Sequence, residues 1–298
     1  MRRPTLVHRI EYGLFAAAAA GMRILPGDRA LATASGLARL GWWPLGIRRR
    51  VVEANLRTAF PDRSDTWVRE IAVASYTHLG REIAALLRAA GRHPARAMAN
   101  TDFADAATLR EVVERGNGAV VLTAHFGNWE LGAAALAGPG VPVDIVVQRQ
   151  RNPLFDRALI AWRQRLGLTV IDRGRATREG VRSLRANRVL VLAPDQNAGR
   201  GGMFLPFFGR PASTTRGPAI LAARTAAPIL MTTAMRMPDG RLRVRLALLA
   251  DRIPRSDAAL ADVMTRYLAA LEDAVREAPA QYLWHHRRWK TRPPAPSA

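Results

Sequence analysis

Apolar positions along the chain follow two different periods, and the change between them divides it. From residue 51 to 99 the apolar side chains Trp67, Ile71, Ala74, Leu79, Ile83, Leu86 and Leu87 recur close to every 3.6 residues, the spacing of one helix face. Ahead of them lie two apolar stretches, Tyr12 to Met22 and Ala30 to Leu45, and behind them Gly91 to Ala99 reads as a connection. From residue 118 onward, short apolar runs alternate with amphipathic segments, which predicts strands joined by helices around a mostly parallel sheet. The predicted strands are 118–124, 142–147, 168–172, 188–193, 228–236 and 241–249, and the predicted helices 129–137, 154–166, 177–186 and 215–226. Pro238-Asp239-Gly240 separates the last two strands as a hairpin turn, so an antiparallel edge is expected there. Ser256 to Glu277 carries one apolar stripe with a capping Ser256 or Asp257 and Pro279 beyond its end, and predicts the clearest helix. The expected class is α/β with a mixed, mostly parallel central sheet. A helical segment over 1–50 precedes a domain over 51–292, and a disordered tail over 293–298 follows.

Composition narrows the partners. With 298 residues and 49% apolar content the chain can fill a full core, and 45 basic against 24 acidic residues give +21, a balance that attracts polyanions. Nearly all the basic residues are arginines, suited to forked phosphate recognition, although a compositional bias toward arginine gives the same count without function. No cysteine is present, which closes disulfides, thiolate nucleophiles and an acyl-cysteine route. His8, His78, His93, His125, His285 and His286 lack metal-ligand spacing, and no glycine-rich phosphate loop occurs, so neither a metal nor a nucleotide cofactor is expected. The first apolar stretch follows Arg2, Arg3 and Arg9 as in a signal peptide, but falls short of the roughly 20 residues a spanning helix needs. Trp42, Trp43 and the cluster Arg48 to Arg50 fit a segment lying in a membrane interface, and fit ordinary packing helices as well.

Candidate chemistry centres on HFGNWE, where the run Val120 to Leu122 ends at His125 and a helix opens near Glu130. A histidine at the carboxyl end of a strand can take a proton from an alcohol, and a carboxylate across the turn can fix its tautomer. A turn-capping histidine followed by a first-turn glutamate at the helix dipole accounts for the same letters. Other polar positions follow the remaining strands: Gln148, Arg149 and Arg151, then Arg173 and Arg175, then Asp195 and Gln196. Parallel strands would bring them to one sheet edge, where arginines clamp phosphates or polarise a carbonyl, or merely solvate loops. Gly199, Gly201 and Gly202 lead to FLPFFG, whose side chains either line an acyl pocket or pack.

HFGNWE resembles the H-x4-D/E motif of the bacterial lysophospholipid acyltransferase superfamily, and the chain most resembles its lipid A late acyltransferases, the lauroyl and myristoyl transferases. The blocks NLRTAFP (Asn55 to Pro61), NPLFD (Asn152 to Asp156), PDQ (Pro194 to Gln196), FLPFFG (Phe204 to Gly209) and QYLWHHRRWKTR (Gln281 to Arg292) agree in the same order. The resemblance implies a glycerol-phosphate acyltransferase-like fold with an N-terminal membrane-associating region, working at the cytoplasmic face of the inner membrane. It implies His125 as general base and Glu130 as its orienting partner. Backbone N–H groups near Gly127 and Asn128 would join an arginine at the oxyanion, with Arg149, Arg173, Asp195 and Gln196 on substrate. The arginine expected before the NPL block falls on Arg149, with Gln148 in the expected place. The implied donor is acyl carrier protein or acyl-CoA, the acceptor a lipid A precursor, and an anionic membrane surface the setting. Two alternatives stand beside it: the same chemistry on another lysolipid or a phosphatidylinositol mannoside, and a non-catalytic basic protein on membrane or nucleic acid. The second has no nucleic-acid motif behind it. For QYLWHHRRWKTR a lipid-facing patch, a nucleic-acid patch and a packed tail all remain open.

Overall fold

A computed structural model describes residues 4–89, 98–138 and 140–294; most of the connection expected between 91 and 99, and the end of the tail, lie outside them. Four helices come first: α1 (Leu6–Ile24), α2 (Gly27–Trp42), α3 (Arg49–Ala59) and α4 (Asp65–Ala89). Thr5 caps α1 by accepting from the His8 N–H. Helices α2 and α4 touch backbone to side chain at Gly80, where a Cβ would stand 2.4 Å from the Ala34 carbonyl oxygen and 2.5 Å from the Ala38 Cβ. Only glycine permits that approach.

The central sheet has seven strands. In chain order these are β1 (Thr101–Phe103), β2 (Ala119–Leu122), β3 (Val143–Val147), β4 (Leu168–Asp172), β5 (Val189–Leu192), β8 (Ile229–Arg236) and β9 (Leu242–Ala250). Their spatial order is β1-β9-β8-β2-β5-β3-β4, and β2, β3, β4, β5 and β8 are mutually parallel. Strands β8 and β9 form the antiparallel hairpin that Pro238-Asp239-Gly240 predicted. They do not end the sheet, because β1 adds outside β9 in parallel. Three residues are too few to show a period, so this strand left no sequence signal.

Helices α5 (Ala106–Glu114), α6 (Trp129–Ala137), α7 (Pro153–Arg165), α8 (Ala176–Arg185), α9 (Gly217–Thr225) and α10 (Asp257–Glu277) complete the layers. Alternation along β2 assigns the two faces: Val120 and Leu122 join a core with α3, α8, α9 and α10, while Ala119 and Val121 join one with α5 and α6. A separate two-stranded antiparallel ribbon, β6 (Met203–Phe207) with β7 (Arg210–Thr214), occupies the FLPFFG block. Leu205, Phe207 and Phe208 are buried in the first core, so this block packs. Phe208 takes a left-handed φ of 51°, and its N–H donates to Glu272 Oε1.

Of the readings left open for the C-terminal block, packing is the one observed. Trp284 and Arg288 are both fully buried. Asn55, the polar residue of the NLRTAFP block, donates from Nδ2 to the carbonyls of Trp284 and His286 at 2.7 and 2.6 Å and so ties α3 to this segment.

Candidate active site

His125 and Asp195 meet because β2 and β5 are neighbours. Leu122 pairs with Leu192 in the parallel register, and each polar residue lies three positions beyond its strand partner, at the carboxyl edge of the sheet. The Asp195 carboxylate accepts twice from the same residue: Oδ2 from the His125 backbone N–H at 3.0 Å, and Oδ1 from ring Nδ1 at 2.8 Å. With Nδ1 carrying that proton, Nε2 keeps its lone pair. The ring is about one quarter exposed while Asp195 is 2% exposed, so the imidazole keeps an exposed part and its carboxylate is sealed. The Gln196 amide nitrogen lies 3.5 Å from Nε2, and the Trp129 ring centroid 5.0 Å from the imidazole.

Burial opposes charge on His125, but the charge and hydrogen bond of Asp195, with a smaller contribution from Glu130, outweigh it and hold the imidazole above its ordinary range. Burial likewise opposes ionisation of Asp195; His125, and beyond it Arg288, pull its carboxyl below the ordinary range.

Glu130, the carboxylate expected on the imidazole, is engaged elsewhere. Its two oxygens meet Arg163 of α7, Oε2 with Nε at 3.0 Å and Oε1 with Nη2 at 2.5 Å, a forked pair that joins α6 to α7. It acts on His125 through charge rather than contact.

Gly127 and Asn128 are also differently employed. The Gly127 N–H donates to the Gln281 carbonyl and the Asn128 N–H to the Ala234 carbonyl, both at 2.9 Å, so neither is free for an oxyanion. Asn128 Oδ1 caps α6 by accepting from the Leu131 N–H, while Nδ2 donates to Glu82 Oε2 at 2.7 Å. Gly127 has φ +58, and a Cβ there would stand 1.8 Å from the Ala234 oxygen. These residues build the turn rather than line the open edge of the base.

Arg149 and Arg173 follow β3 and β4, which lie two and three strand positions from β2, roughly 10 and 15 Å away at ordinary strand spacing. Arg149 pairs with Asp156 at 2.8 Å and approaches Asp172 at 3.9 Å; Arg173 donates to Gln148 Oε1 at 3.4 Å. The sheet edge is shared, as parallel strands require, but His125, Asp195 and Gln196 gather at one place on it and the two arginines at another.

Several supporting residues gave little sequence signal. Glu82 is buried in α4, held by Arg236 through bonds of 2.9 and 2.6 Å, and it in turn receives Asn128. Gln281 clasps Arg236 by accepting from its N–H at 2.8 Å and donating to its carbonyl at 2.7 Å. Leu283 N–H donates to the His125 carbonyl, and buried Tyr267 donates to the Thr123 carbonyl at 2.9 Å. Glu82 and Arg163 belong to no motif; a carboxylate inside the apolar stripe of α4 was the available hint.

The family model of the bacterial lipid A biosynthesis acyltransferases matches residues 2–291. The chain belongs to that family. It is similar to the lipid A biosynthesis lauroyltransferase of Escherichia coli (strain K12), 29% identical over 264 residues that cover 87% of this chain and 84% of the relative. The lipid A biosynthesis palmitoleoyltransferase of the same organism is 27% identical over 249 residues, 83% of this chain and 80% of its own. A phosphatidylinositol mannoside acyltransferase of Mycobacterium tuberculosis (strain CDC 1551 / Oshkosh) is 30% identical over 169 residues, 54% of this chain and 52% of its own. As a member of the lipid A acyltransferase family the protein is an acyltransferase.

Proposed function

We propose that the protein is a membrane-associated O-acyltransferase that moves a fatty acyl chain from acyl carrier protein to a hydroxyl of a lipid A precursor. The observation that carries this reading is the His125–Asp195 pair at 2.8 Å, in which the imidazole keeps about one quarter of its surface exposed. Nε2 takes the proton of the acceptor hydroxyl as its oxygen attacks the thioester carbonyl; collapse of the tetrahedral adduct breaks the C–S bond, and the imidazolium returns the proton to the leaving thiolate. Asp195 holds the tautomer and offsets the transient charge. The amide of Gln196, beside Nε2, is the donor best placed to meet the developing oxyanion. Glu130 and Arg163 keep α6 and α7 in register beneath the turn. A surface of net charge +21 suits both an acidic carrier and a phosphorylated acceptor.

Membrane association is supported by an apolar surface at the N-terminal helices. Leu6, Val7, Ile10 and Leu14 of α1 are exposed, as are Leu37, Leu40, Trp43, Leu45 and Ile47 of α2 and the turn after it. Among the described residues no helix is long and apolar enough to cross a membrane. The reading places the protein on the cytoplasmic face of the inner membrane, held by this apolar surface.

A second reading, favoured by the mannoside acyltransferase relative, keeps the chemistry and changes the acceptor to a phosphatidylinositol mannoside or other lysolipid with acyl-CoA as donor. Mass spectrometry of lipid A from a host lacking the gene, complemented by wild type or His125→Ala, separates the two. Loss of one acyl chain restored by wild type alone is expected. Unchanged lipid A moves the acceptor to another lipid class, and full complementation by folded His125→Ala removes the base from the mechanism.

A further inference from the structure

Helices α2 and α4 border an open groove of about 660 Å³ with a largely apolar lining. Ser35 and Arg39 line it from α2, and Arg69, Thr77, His78 and Arg81 from α4. Among the described residues, none of the three arginines lies within ion-pair distance of a carboxylate, including Glu70 on the groove's own rim. A patch of three unneutralised guanidinium groups selects an oxyanion, and their forked donors match phosphate.

Position identifies the occupant. At one end the groove reaches His78, which lies beside the Gly127 carbonyl, two residues from His125. On α2 its lining residue Arg39 is flanked by the exposed apolar side chains Leu37, Leu40 and Trp43. A charged head drawn into this groove would therefore have its apolar part at the exposed face and its hydroxyls toward the catalytic turn.

We propose that the α2–α4 groove binds a phosphate group, with Arg39, Arg69 and Arg81 supplying charge, and that it holds the headgroup phosphate of the acceptor lipid. The assignment of that phosphate to an acceptor rests on the acyltransferase reading; phosphate binding itself does not.

The test is co-sedimentation of the full chain with phosphatidylcholine vesicles, with and without phosphatidic acid. The double variant Arg39→Gln/Arg69→Gln is compared with Arg110→Gln/Arg252→Gln, which removes equal charge from exposed positions outside the groove. The groove variant should lose about ten-fold of the phosphatidic-acid-dependent binding, a loss of the size expected for two phosphate contacts, with the control variant close to wild type. Both should bind plain phosphatidylcholine as wild type does. Equal losses from the two variants would overturn the proposal by reducing the effect to net charge. Arg81→Lys, which keeps charge but not the fork, should retain part of the binding, and thermal melts establish that each variant is folded. Inorganic phosphate as competitor distinguishes the sources: displacement shows a site that accepts the free ion, and resistance shows one that requires the lipid. With a lipid acceptor offered in phosphorylated and dephosphorylated forms, the groove variant should raise KM for the first alone and leave kcat in place. Vesicle binding intact in a chain without transferase activity would count against the acyltransferase reading and leave the phosphate site standing.

Discussion

His125 and Asp195 carry opposed shifts: burial disfavours charge on both, and each one's charge restores the other's. A general base works in its neutral form, so with His125 in the proposed role transfer should be lost as pH falls through its raised pKa. Asp195→Asn removes the upward pull and leaves the burial, so the acid limb of log(kcat/KM) against pH should move to lower pH while kcat falls on the order of a hundred-fold. Glu130→Gln should act differently. It breaks a largely buried forked pair with Arg163, and urea denaturation should report a loss of about 3 kcal/mol. Its acid limb should stay close to that of wild type; movement as large as that of Asp195→Asn would return Glu130 to the role of direct partner.

Elements are joined at points of close approach, and the α2–α4 contact is the sharpest of these. Gly80→Ala places a methyl 2.4 Å from a backbone oxygen, so the helices must part, and urea denaturation should show a loss of about 1–3 kcal/mol from overpacking. Gly13 in α1 has no atom within 4 Å of an added Cβ, so Gly13→Ala should be neutral or gain up to about 1 kcal/mol through helix propensity. A Gly80→Ala chain as stable as wild type would show that α2 rides loosely on α4. The strands and helices past residue 118 were legible to within a residue or two, because each shows its period over several residues and ends at a turn signal. β1, α5 and the β6–β7 ribbon were not: the first is too short, and in the ribbon Pro206 and Pro211 disguise the alternation.

For the whole molecule, the proposed membrane association would rest on two separable attractions. The excess of basic residues would act through salt-screened charge, whereas Leu6, Leu14 and Trp43, each at least 70% exposed, would act by burial of apolar surface. Leu6→Ser/Leu14→Ser/Trp43→Ser should therefore weaken binding to anionic vesicles at high salt by ten-fold or more, since each side chain contributes on the order of 1.5 kcal/mol when buried. Binding at low salt should change less. Undiminished high-salt binding by the triple variant would move the membrane-facing surface elsewhere.

The sequence by itself determined the class of fold, the elements of the sheet, the position of His125 at a strand end and the family, since these depend on local period, turn chemistry and motif order. What it left undetermined was which strands are neighbours. Period tells a residue's face but not its partner, and only the placement of β5 beside β2 brings Asp195 to the imidazole and leaves Arg149 and Arg173 farther along the edge. The same holds for buried pairs. Glu130 meets a residue 33 positions away and Glu82 one 154 positions away, and each carboxylate goes to the arginine that packing brings within reach, because an ion leaving water needs a partner at contact distance.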